Sequence, residues 1–406
     1  MTRVMLVCPE PLGHGQPAGI GIRFTEIARV LLADGHAVTV LSPDGGTIDG
    51  CGAATISPRN LLAASEAHDV AVVQGHVAND YFAHAKPIPT VIDLYDPFII
   101  ENLHYYSERG AEVFSHDHAT LMQSLVRGDL FLCASEAQRL FWLGMLLAIG
   151  RLNPIVFASS PDLEALVRIA PFGVQPQRPE VARDLAAPSI LFGGIYDWYD
   201  PLVAIDAVAI ARERIPNLTL TFTRHPNPDI TPQGKTAEAM QYVKKKGHEA
   251  FIRFEPWAPY DRRAEFFERF TLALLTFRQS LETDLSMRTR IYDYLWCGLP
   301  IITSSAPGTD EVLKRYGAGS IVSIDAAHAF ASELVAILRD RETYGGMVRG
   351  ARSFVSDHQW PRTLEPLRTF CRTPAFESTK AGFTLPHRIA ERPPSLLRRI
   401  RRRLRA

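Results

Sequence analysis

A short segment in the second half of the chain, from Ser286 to Asp293, combines residue types that can hold a nucleotide diphosphate. Ser286 is a preferred helix N-cap, and the unpaired N–H groups at such a helix end bind anions. Arg288 and Arg290 add guanidinium groups that pair with phosphate oxygens. Asp293 follows Arg290 by about one helical turn and can accept hydrogen bonds from ribose hydroxyls. The pattern predicts a site for the phosphates and sugar of a nucleotide.

The same residues also fit a plainer structure. An amphipathic helix from Met287 to Cys297 would place its arginines in solvent, with Arg290 and Asp293 joined as an ion pair. In both cases Gly298 would end the helix, and Pro300 would open the next strand. Composition and spacing alone do not decide between a nucleotide site and a solvated helix.

The elements that would position this segment alternate along the chain. Apolar runs typical of strands buried on both faces occur in the first half at 3–8, 36–41, 70–73, 89–93 and 130–133. Helical patterns such as Ile22–Asp34 separate them. The alternation restarts with strands at 189–192, 218–223, 251–254, 272–276, 300–303 and 320–323. Two such series predict an α/β fold of two facing, doubly wound, Rossmann-like domains that bind ligands beyond the carboxyl ends of their strands.

The charge distribution restricts the partners. The 406 residues include 44 Lys and Arg and 44 Asp and Glu, so the chain is formally neutral. Seven arginines and one glutamate lie between Glu391 and Ala406, so this end carries +6 and the preceding residues carry −6. A mildly acidic body repels phosphate except at shaped sites, so we expect no nucleic acid partner.

The basic end predicts a membrane contact. Leu396, Leu397, Ile400 and Leu404 fall on one helical stripe, and the arginines of 398–405 take the other faces. A short basic amphipathic helix of this kind lies in an anionic membrane surface. RNA binding and simple disorder are alternatives.

Other motifs give mainly exclusions. No DxD, GxSxG or HExxH motif occurs, so we expect no metal site, and nothing indicates a cofactor. Gly19 and Gly21 form a lone GxG, with Phe24 where a dinucleotide fold has its third glycine. They either permit a tight turn into a helix or let substrate approach the backbone there. The five cysteines show no CxxC spacing and no apolar run reaches the ~18 residues of a membrane span, which favours a cytoplasmic protein.

The stretch RTRIYDYLWCGLPII resembles the donor-site motif of GT-B-fold glycosyltransferases, broadly family 4, the group 1 glycosyltransferases. Arg290, Asp293, Gly298 and Pro300 match that motif position for position. Supporting similarities are the first strand with its glycine-rich loop, the GHAVTV strand at 35–40, the sequence APFGV at 170–174, Gly193 with Gly194, and Trp360. The resemblance spans about residues 1–371. It implies that Gly193 and Gly194 form the glycine turn opening the nucleotide domain.

The chain departs from the family pattern at two places. The family has basic residues after the glycine turn, whereas Ile195–Asp200 contains two acids and no base. The diphosphate charge would then fall on Arg288 and Arg290. The first of the family's paired acids is replaced by Leu285, with Asp284 and Glu282 near it but out of register.

The resemblance also implies catalytic candidates in the first domain. Family members often carry a histidine or an acid at the end of the strand that matches 89–93, where this chain has Asp93 and Asp96. Either acid could deprotonate an acceptor hydroxyl or stabilise an oxocarbenium-like transition state. Asp96 before Pro97 also fits a helix N-cap. His76 follows the strand at 70–73 and is either a catalytic residue or an ordinary hydrogen-bonding one.

Taken together, the resemblance implies a glycosyltransferase that moves a sugar from a nucleotide-sugar donor to an acceptor hydroxyl, with retention and without a metal. The acceptor would be a carbohydrate or a lipid-linked molecule. The enzyme would act in the assembly of a bacterial surface polysaccharide or glycolipid. A nucleotide-sugar epimerase and a catalytically silent nucleotide-sugar-binding module are the alternatives. We expect a cytoplasmic enzyme, peripheral on the inner face of the membrane.

The expected domain boundaries follow from the same arguments. Residues 1–175 would form the acceptor-side domain, 176–188 a proline-containing linker, and 189–359 the nucleotide-sugar domain. A helix at 360–371 would cross back to the first domain. Residues 372–406 would be a tail with little order before its basic helix.

Overall fold

Two parallel β-sheets form the frame of the protein in the computed structural model, which describes residues 1–13, 19–104, 106, 110–224, 234–322 and 326–380. The first sheet has seven strands in the order β3-β2-β1-β4-β5-β6-β7 and the second has six in the order β10-β9-β8-β11-β12-β13. The strands are β1 Arg3–Val7, β2 Ala37–Ser42, β3 Gly52–Thr55, β4 Val70–Val73, β5 Thr90–Asp93, β6 Leu130–Cys133, β7 Val167–Ile169, β8 Ser189–Gly194, β9 Thr219–Arg224, β10 Ile252–Pro256, β11 Leu272–Leu275, β12 Ile301–Ser304 and β13 Gly319–Val322.

Helices connect these strands, as parallel pairing requires. In the first half they are α1 Gly19–Ala33, α2 Pro58–Ala67, α3 Val77–His84, α4 Phe98–Glu101, α5 Ala111–Arg127, α6 Glu136–Ala148 and α7 Pro154–Ser159. In the second half they are α8 Pro201–Ala211, α9 Gly234–Lys246, α10 Arg263–Phe267, α11 Leu281–Leu285, α12 Thr289–Trp296, α13 Pro307–Tyr316, α14 Ala327–Arg339, α15 Arg341–Asp357, α16 Trp360–Thr363 and α17 Glu365–Arg372. None of the helices in the described ranges is long and apolar enough to cross a bilayer.

The predicted fold class is confirmed. Every predicted strand is present, with ends shifted by no more than two residues. The apolar runs are buried on both faces, and β4 and β6 are buried along their whole length. Sequence reasoning missed β3, whose Gly-Ala-Ala-Thr lies half exposed at the sheet edge, and β7, which has only three residues. Neither contains the apolar run on which the predictions rested.

The predicted start of the helix at 287–297 is wrong in detail. Ser286 has extended backbone angles and follows α11, so it does not cap α12, which begins at Thr289. The reason is tertiary, because main-chain carbonyls of 285 and 287 accept hydrogen bonds from the other half of the molecule. Tyr95 donates to Met287, and Gln138 donates to Leu285. These bonds keep the segment between α11 and α12 extended.

A buried ion pair joins the end of β5 to the crossover between the two sheets. Arg23 of α1 binds both carboxylate oxygens of Asp93, at 2.6 and 3.2 Å. The same guanidinium donates to the carbonyls of Ala170 and Pro171. Both charged side chains are no more than 1% exposed. Asp93 therefore positions the domain crossover and does not face a cleft, which corrects its predicted catalytic role.

The chain returns to the first sheet after α15. Val174 pairs with Gln359 in an isolated parallel bridge, and Arg368 of α17 holds Asp34 at the end of α1 with two bonds of 2.6 Å. The prediction of little order after Arg372 is wrong for residues 373–380. Glu377 binds the buried Arg151 at 3.2 Å, and Lys380 binds the buried Asp129 at 2.6 Å. Residues 381–406, with the predicted basic helix, lie outside the described residues.

The buried pair predicts a large stability effect. Asp93→Asn should lower the free energy of unfolding by about 3–5 kcal/mol, because it leaves the Arg23 charge buried without its counter-ion. Asp69→Asn is the matched control, since the Arg3–Asp69 pair is exposed and should contribute less than about 1 kcal/mol. Urea denaturation measures both. Equal small losses in the two variants would contradict the structural role of Asp93.

Candidate functional site

The two halves meet at the segment from Leu285 to Met287, between α11 and α12. Besides the bonds from Tyr95 (2.9 Å) and Gln138 (2.8 Å), the Ser286 hydroxyl donates to Glu101 at the end of α4, at 3.4 Å. The junction therefore lies beyond the carboxyl end of β5. Open α/β sheets bind ligands at this end.

The glycine turn at the end of β8 has the conformation that the resemblance implied. Gly193 has a φ of +85°, and a Cβ there would collide with the Tyr294 hydroxyl. Arg290 of α12 donates to the Gly194 carbonyl at 2.6 Å and stacks over the rings of Tyr196 and Tyr199. The structure thus brings Arg290 to the glycine turn. Its basic charge replaces, in position, the bases that the sequence lacks after Gly194.

Trp257 is a residue of this site that sequence reasoning missed. It follows β10 directly, is 37% exposed, and lies so close to Gly194 that a Cβ there would be 2.8 Å from its ring. An exposed indole beside a phosphate-sized turn can stack on a planar base. Its position after a strand end was the signal available in the sequence.

Asp293 has a different partner from the one the plainer structure proposed. Arg263 of α10 binds its carboxylate at 3.0 Å, and the guanidinium stacks on Tyr260 and Trp296. Burial raises the pKa of Asp293, and the Arg263 charge opposes that rise. The carboxyl is 18% exposed, so one edge can reach a ligand hydroxyl. Arg263 gave no motif signal, because it lies 30 residues away in sequence.

Arg288 is not the free phosphate ligand that the sequence suggested. It forms a buried ion pair with Glu282 at 3.0 Å, with side chains 4% and 2% exposed, and its guanidinium lies over the Phe277 ring. Its Nε and Nη1 atoms have no hydrogen-bond partner within the described residues. Glu282 is therefore the counter-ion of Arg288. Arg288 retains two unused donors.

The remaining predicted donor-side residues surround this pair at different depths. Asp284 is exposed on α11, whereas Ser286 is buried at the junction. The N-terminus of α1 approaches α12 from the first half, since a Cβ at Gly19 would be 3.7 Å from Thr289. The Gly21 amide donates to Glu10 at 2.8 Å, so that N–H group already has a protein acceptor.

Asp96 and Glu101 form a hydrogen-bonded carboxyl pair on the first-half side of the cleft. Burial raises the pKa of Asp96 to about 6, and the nearby charge of Asp93 adds to the rise. Burial and then the charge of Asp96 hold the pKa of Glu101 well above its usual value. These effects favour the protonated form of Glu101, which donates the hydrogen bond to Asp96. Asp96 is not the helix cap of the alternative prediction, since Pro97 occupies that position.

His76 lies at the start of α3 near this pair. Its Nε2 contacts Asp117 of α5 at 2.5 Å, and its ring stacks on His116. Asp117 also accepts hydrogen bonds from Asn102 and Tyr106, at 2.7 and 2.6 Å. The histidine side chain is 43% exposed, so it is held in place by a carboxylate while one face stays open to solvent.

The geometry supports binding of a nucleotide diphosphate and proton transfer on opposite sides of one cleft. Arg290, Asp293 and Trp257 lie on the second-half side. Asp96 and Glu101 lie on the first-half side and can exchange a proton. No group of three His, Cys, Asp or Glu that could hold a metal ion occurs within the described ranges.

Comparisons with known proteins find a family that matches part of the sequence. Residues 187–340 match the family described as glycosyl transferases group 1, so the resemblance seen in the sequence is confirmed. A search of curated protein sequences finds no significant match.

Solved structures with the same fold extend over nearly the whole chain. Anabaena Alr3699/HepE in complex with UDP and glucose has 12% identity and a TM-score of 0.67, covering 92% of this chain and 100% of that chain. WaaG, described as a glycosyltransferase involved in lipopolysaccharide biosynthesis, has 14% sequence identity and a TM-score of 0.63, covering 92% of this chain and 100% of that chain. Sucrose-phosphate synthase from Thermosynechococcus elongatus has 14% sequence identity and a TM-score of 0.64, covering 92% of this chain and 98% of that chain. At these identities the likeness shows the shared GT-B fold.

The carboxyl pair predicts a specific pH dependence of stability. Since burial raises the pKa of Glu101 in the folded state above its ordinary value of 4.5, the unfolding free energy should fall as pH rises from 4.5 towards the folded-state pKa. Glu101→Gln removes this loss of stability, which amounts to about 1.4 kcal/mol for each unit by which the folded-state pKa exceeds the unfolded-state pKa. In urea denaturation the variant should therefore gain stability relative to wild type as pH rises above 4.5.

Glu112→Gln, an exposed residue in the first turn of α5, is the control and should follow the wild-type pH profile. If the Glu101 variant also follows that profile, the carboxyl does not hold a proton in the folded protein.

Proposed function

We propose that this chain, which matches the group 1 glycosyl transferases over residues 187–340, transfers a sugar from a nucleotide-sugar donor to a hydroxyl of a carbohydrate or lipid-linked acceptor. One observation carries the proposal. Arg290 lies against the glycine turn at Gly194, and Asp293 lies one helical turn further along the same helix. This is the spacing that places a cation at a diphosphate and a carboxylate at the adjoining ribose.

Four residues share the tasks of the donor side in this proposal. Asp293 accepts hydrogen bonds from the ribose hydroxyls, and Arg263 holds its carboxylate in place. Arg290 pairs with the diphosphate, and Trp257 stacks on the base. The complexes of HepE with UDP and with UDP-glucose support a uridine donor as the first one to try.

Charge development in the transition state gives Arg288 and Arg290 a second task. Bond breaking at the sugar leaves negative charge on the departing diphosphate, and preorganised guanidinium groups stabilise such charge. Arg288 is already buried and has two donors unused within the described residues. Because these two cations can supply the positive charge, the proposal includes metal independence. Retention of the anomeric configuration follows from the family resemblance.

The carboxyl pair would accept the proton of the acceptor hydroxyl. Asp96 is the ionised partner near and above pH 6, and the Glu101 hydrogen bond fixes its orientation. As the sugar–oxygen bond forms, the proton of the acceptor moves to Asp96. His76, held by Asp117, borders this side of the cleft and would position the acceptor or the donor sugar.

The proposed setting is assembly of a surface polysaccharide or glycolipid at the cytoplasmic face of a membrane. The arginines of 398–405 would hold the enzyme at an anionic surface, where a lipid-linked acceptor resides. WaaG offers a structural parallel, as a glycosyltransferase involved in lipopolysaccharide biosynthesis.

The donor site predicts a loss of nucleotide affinity on substitution. Asp293→Asn and Arg290→Ala should each weaken UDP binding by roughly 1–3 kcal/mol, because each removes charge-assisted hydrogen bonds. Isothermal titration calorimetry on the folded variants measures the change. Asp261→Ala, an exposed acid in the turn before α10, is the control and should bind UDP as wild type does. Unchanged affinity in both test variants would show that the donor site is wrongly placed.

The acceptor side predicts a different kinetic signature. Asp96→Asn should lower kcat about 10²–10⁴-fold while UDP affinity stays nearly unchanged, because its role begins only at proton transfer. Asp80→Asn, an exposed acid in the first turn of α3, is the control. Full activity of a folded Asp96→Asn variant would leave the carboxyl pair with a structural role. Reversible isomerisation of the donor without an acceptor would instead indicate the epimerase.

A further inference from the structure

The outer face of α6 and α7 is apolar, although it faces solvent. From Leu140 to Ile149 the sequence contains no polar or charged residue. The buried side of α6 includes Trp142 and Leu146, whereas Leu140 and Leu147 are 62% and 60% exposed. Surface helices of globular proteins normally place charged and polar residues on their outer face. This helix has an apolar face on each side.

The short helix α7 follows after a five-residue loop and also exposes apolar side chains. Asn153 caps it and Pro154 starts it, and its exposed residues include Ile155 and Phe157, at 67% and 54%. Contiguous exposed apolar surface rimmed by polar residues marks an interaction site. We define the outer apolar face as Leu140, Leu147, Ile155 and Phe157.

The last described residues before the basic end of the sequence contact the loop between α6 and α7. Residues 377–380 run along the loop that joins α6 to α7, where Arg151 binds Glu377 at 3.2 Å and Asn153 binds Thr379 at 3.2 Å. Arg398 lies eighteen positions after Lys380, a span of up to about 60 Å when extended. The seven arginines are therefore tethered within reach of the outer apolar face.

We propose that the outer apolar face is the surface with which the protein inserts into an anionic lipid bilayer, together with its arginine-rich end. A single weak signal gives only marginal membrane binding, and stable attachment needs two, such as apolar insertion plus a polybasic segment. Here the fold supplies the apolar signal, and the basic signal follows in sequence after residues 377–380, which are held next to it. The inference rests on the proposed function in one respect: a lipid-linked acceptor is the reason why the enzyme would bind a membrane.

The position of α6 connects this surface to the cleft. Gln138, in its first turn, bonds with the Leu285 carbonyl at the junction, and Leu147 lies nine residues further along the helix. At 1.5 Å per residue the two are about 14 Å apart along the axis. An acceptor held in the bilayer would therefore meet the cleft at the end of the same helix that inserts.

The test uses the full chain and vesicles of phosphatidylcholine with phosphatidylglycerol. The double variant Leu140→Ser/Leu147→Ser should have a vesicle partition coefficient about tenfold lower than wild type, because it buries less apolar surface in the bilayer. The coefficient is calculated from the fraction of protein that sediments with the vesicles. Replacing the six arginines of 398–405 by Gln should reduce it as well, but the binding that remains should not weaken with salt. Met240→Ser, an exposed apolar residue on α9, is the control and should bind as wild type does.

Three outcomes would overturn the inference. Wild-type and Leu140→Ser/Leu147→Ser proteins binding vesicles equally would mean that the face does not insert. Stronger binding by the leucine variant would mean that the chain's own basic end covers the face. A lipid-free dimer, found by sedimentation velocity for wild type and lost in the leucine variant, would make the face a contact between two copies. UDP titration of each variant separates all three from a failure of the proposed donor site.

Discussion

The arrangement of the cleft depends on one buried guanidinium. Arg23 enters from the first helix and binds Asp93 at the end of β5, while it also donates to the carbonyls of Ala170 and Pro171, where the chain leaves the first sheet. Removing two charges from water is costly, so this pair is tolerable only with all its hydrogen bonds made. Those bonds fix the end of the strand that carries Asp96 against the crossover that leads to the second sheet.

Around that fixed point, burial distributes charge unevenly across the cleft. On one side two hydrogen-bonded carboxyls, Asp96 and Glu101, have raised pKa values, because burial disfavours their charged forms. On the other side each acid has its own arginine, Glu282 with Arg288 and Asp293 with Arg263. The first arrangement is suited to moving protons, and the second presents oriented cations to an anion.

Sequence patterns predicted the fold well because buried parallel strands read as apolar runs, whatever packs against them. They also brought Arg290 and Asp293 to one helix, since a spacing of three residues is a local property. They failed where the partner is distant in sequence. Nothing near Asp293 pointed to Arg263, and nothing near Asp93 pointed to Arg23, 70 residues before it. Without that partner, Asp93 resembled a catalytic acid. Glu101 was missed because its significance comes only from the burial of Asp96 beside it.

The segment at 285–287 gives the two halves a mechanical connection. Its carbonyls are held by Tyr95 and Gln138, and a few residues further on Arg290 is fastened to Gly194. Because these hydrogen bonds are made to main-chain carbonyls, they do not depend on the side chains of the segment. They do couple movement of the first half to movement of the segment. Rotation of one half against the other pulls on α12 and hence on the glycine turn. The position of Arg290 at the glycine turn is thus coupled to the angle between the halves, and the proposed diphosphate at that turn would resist a change in this angle.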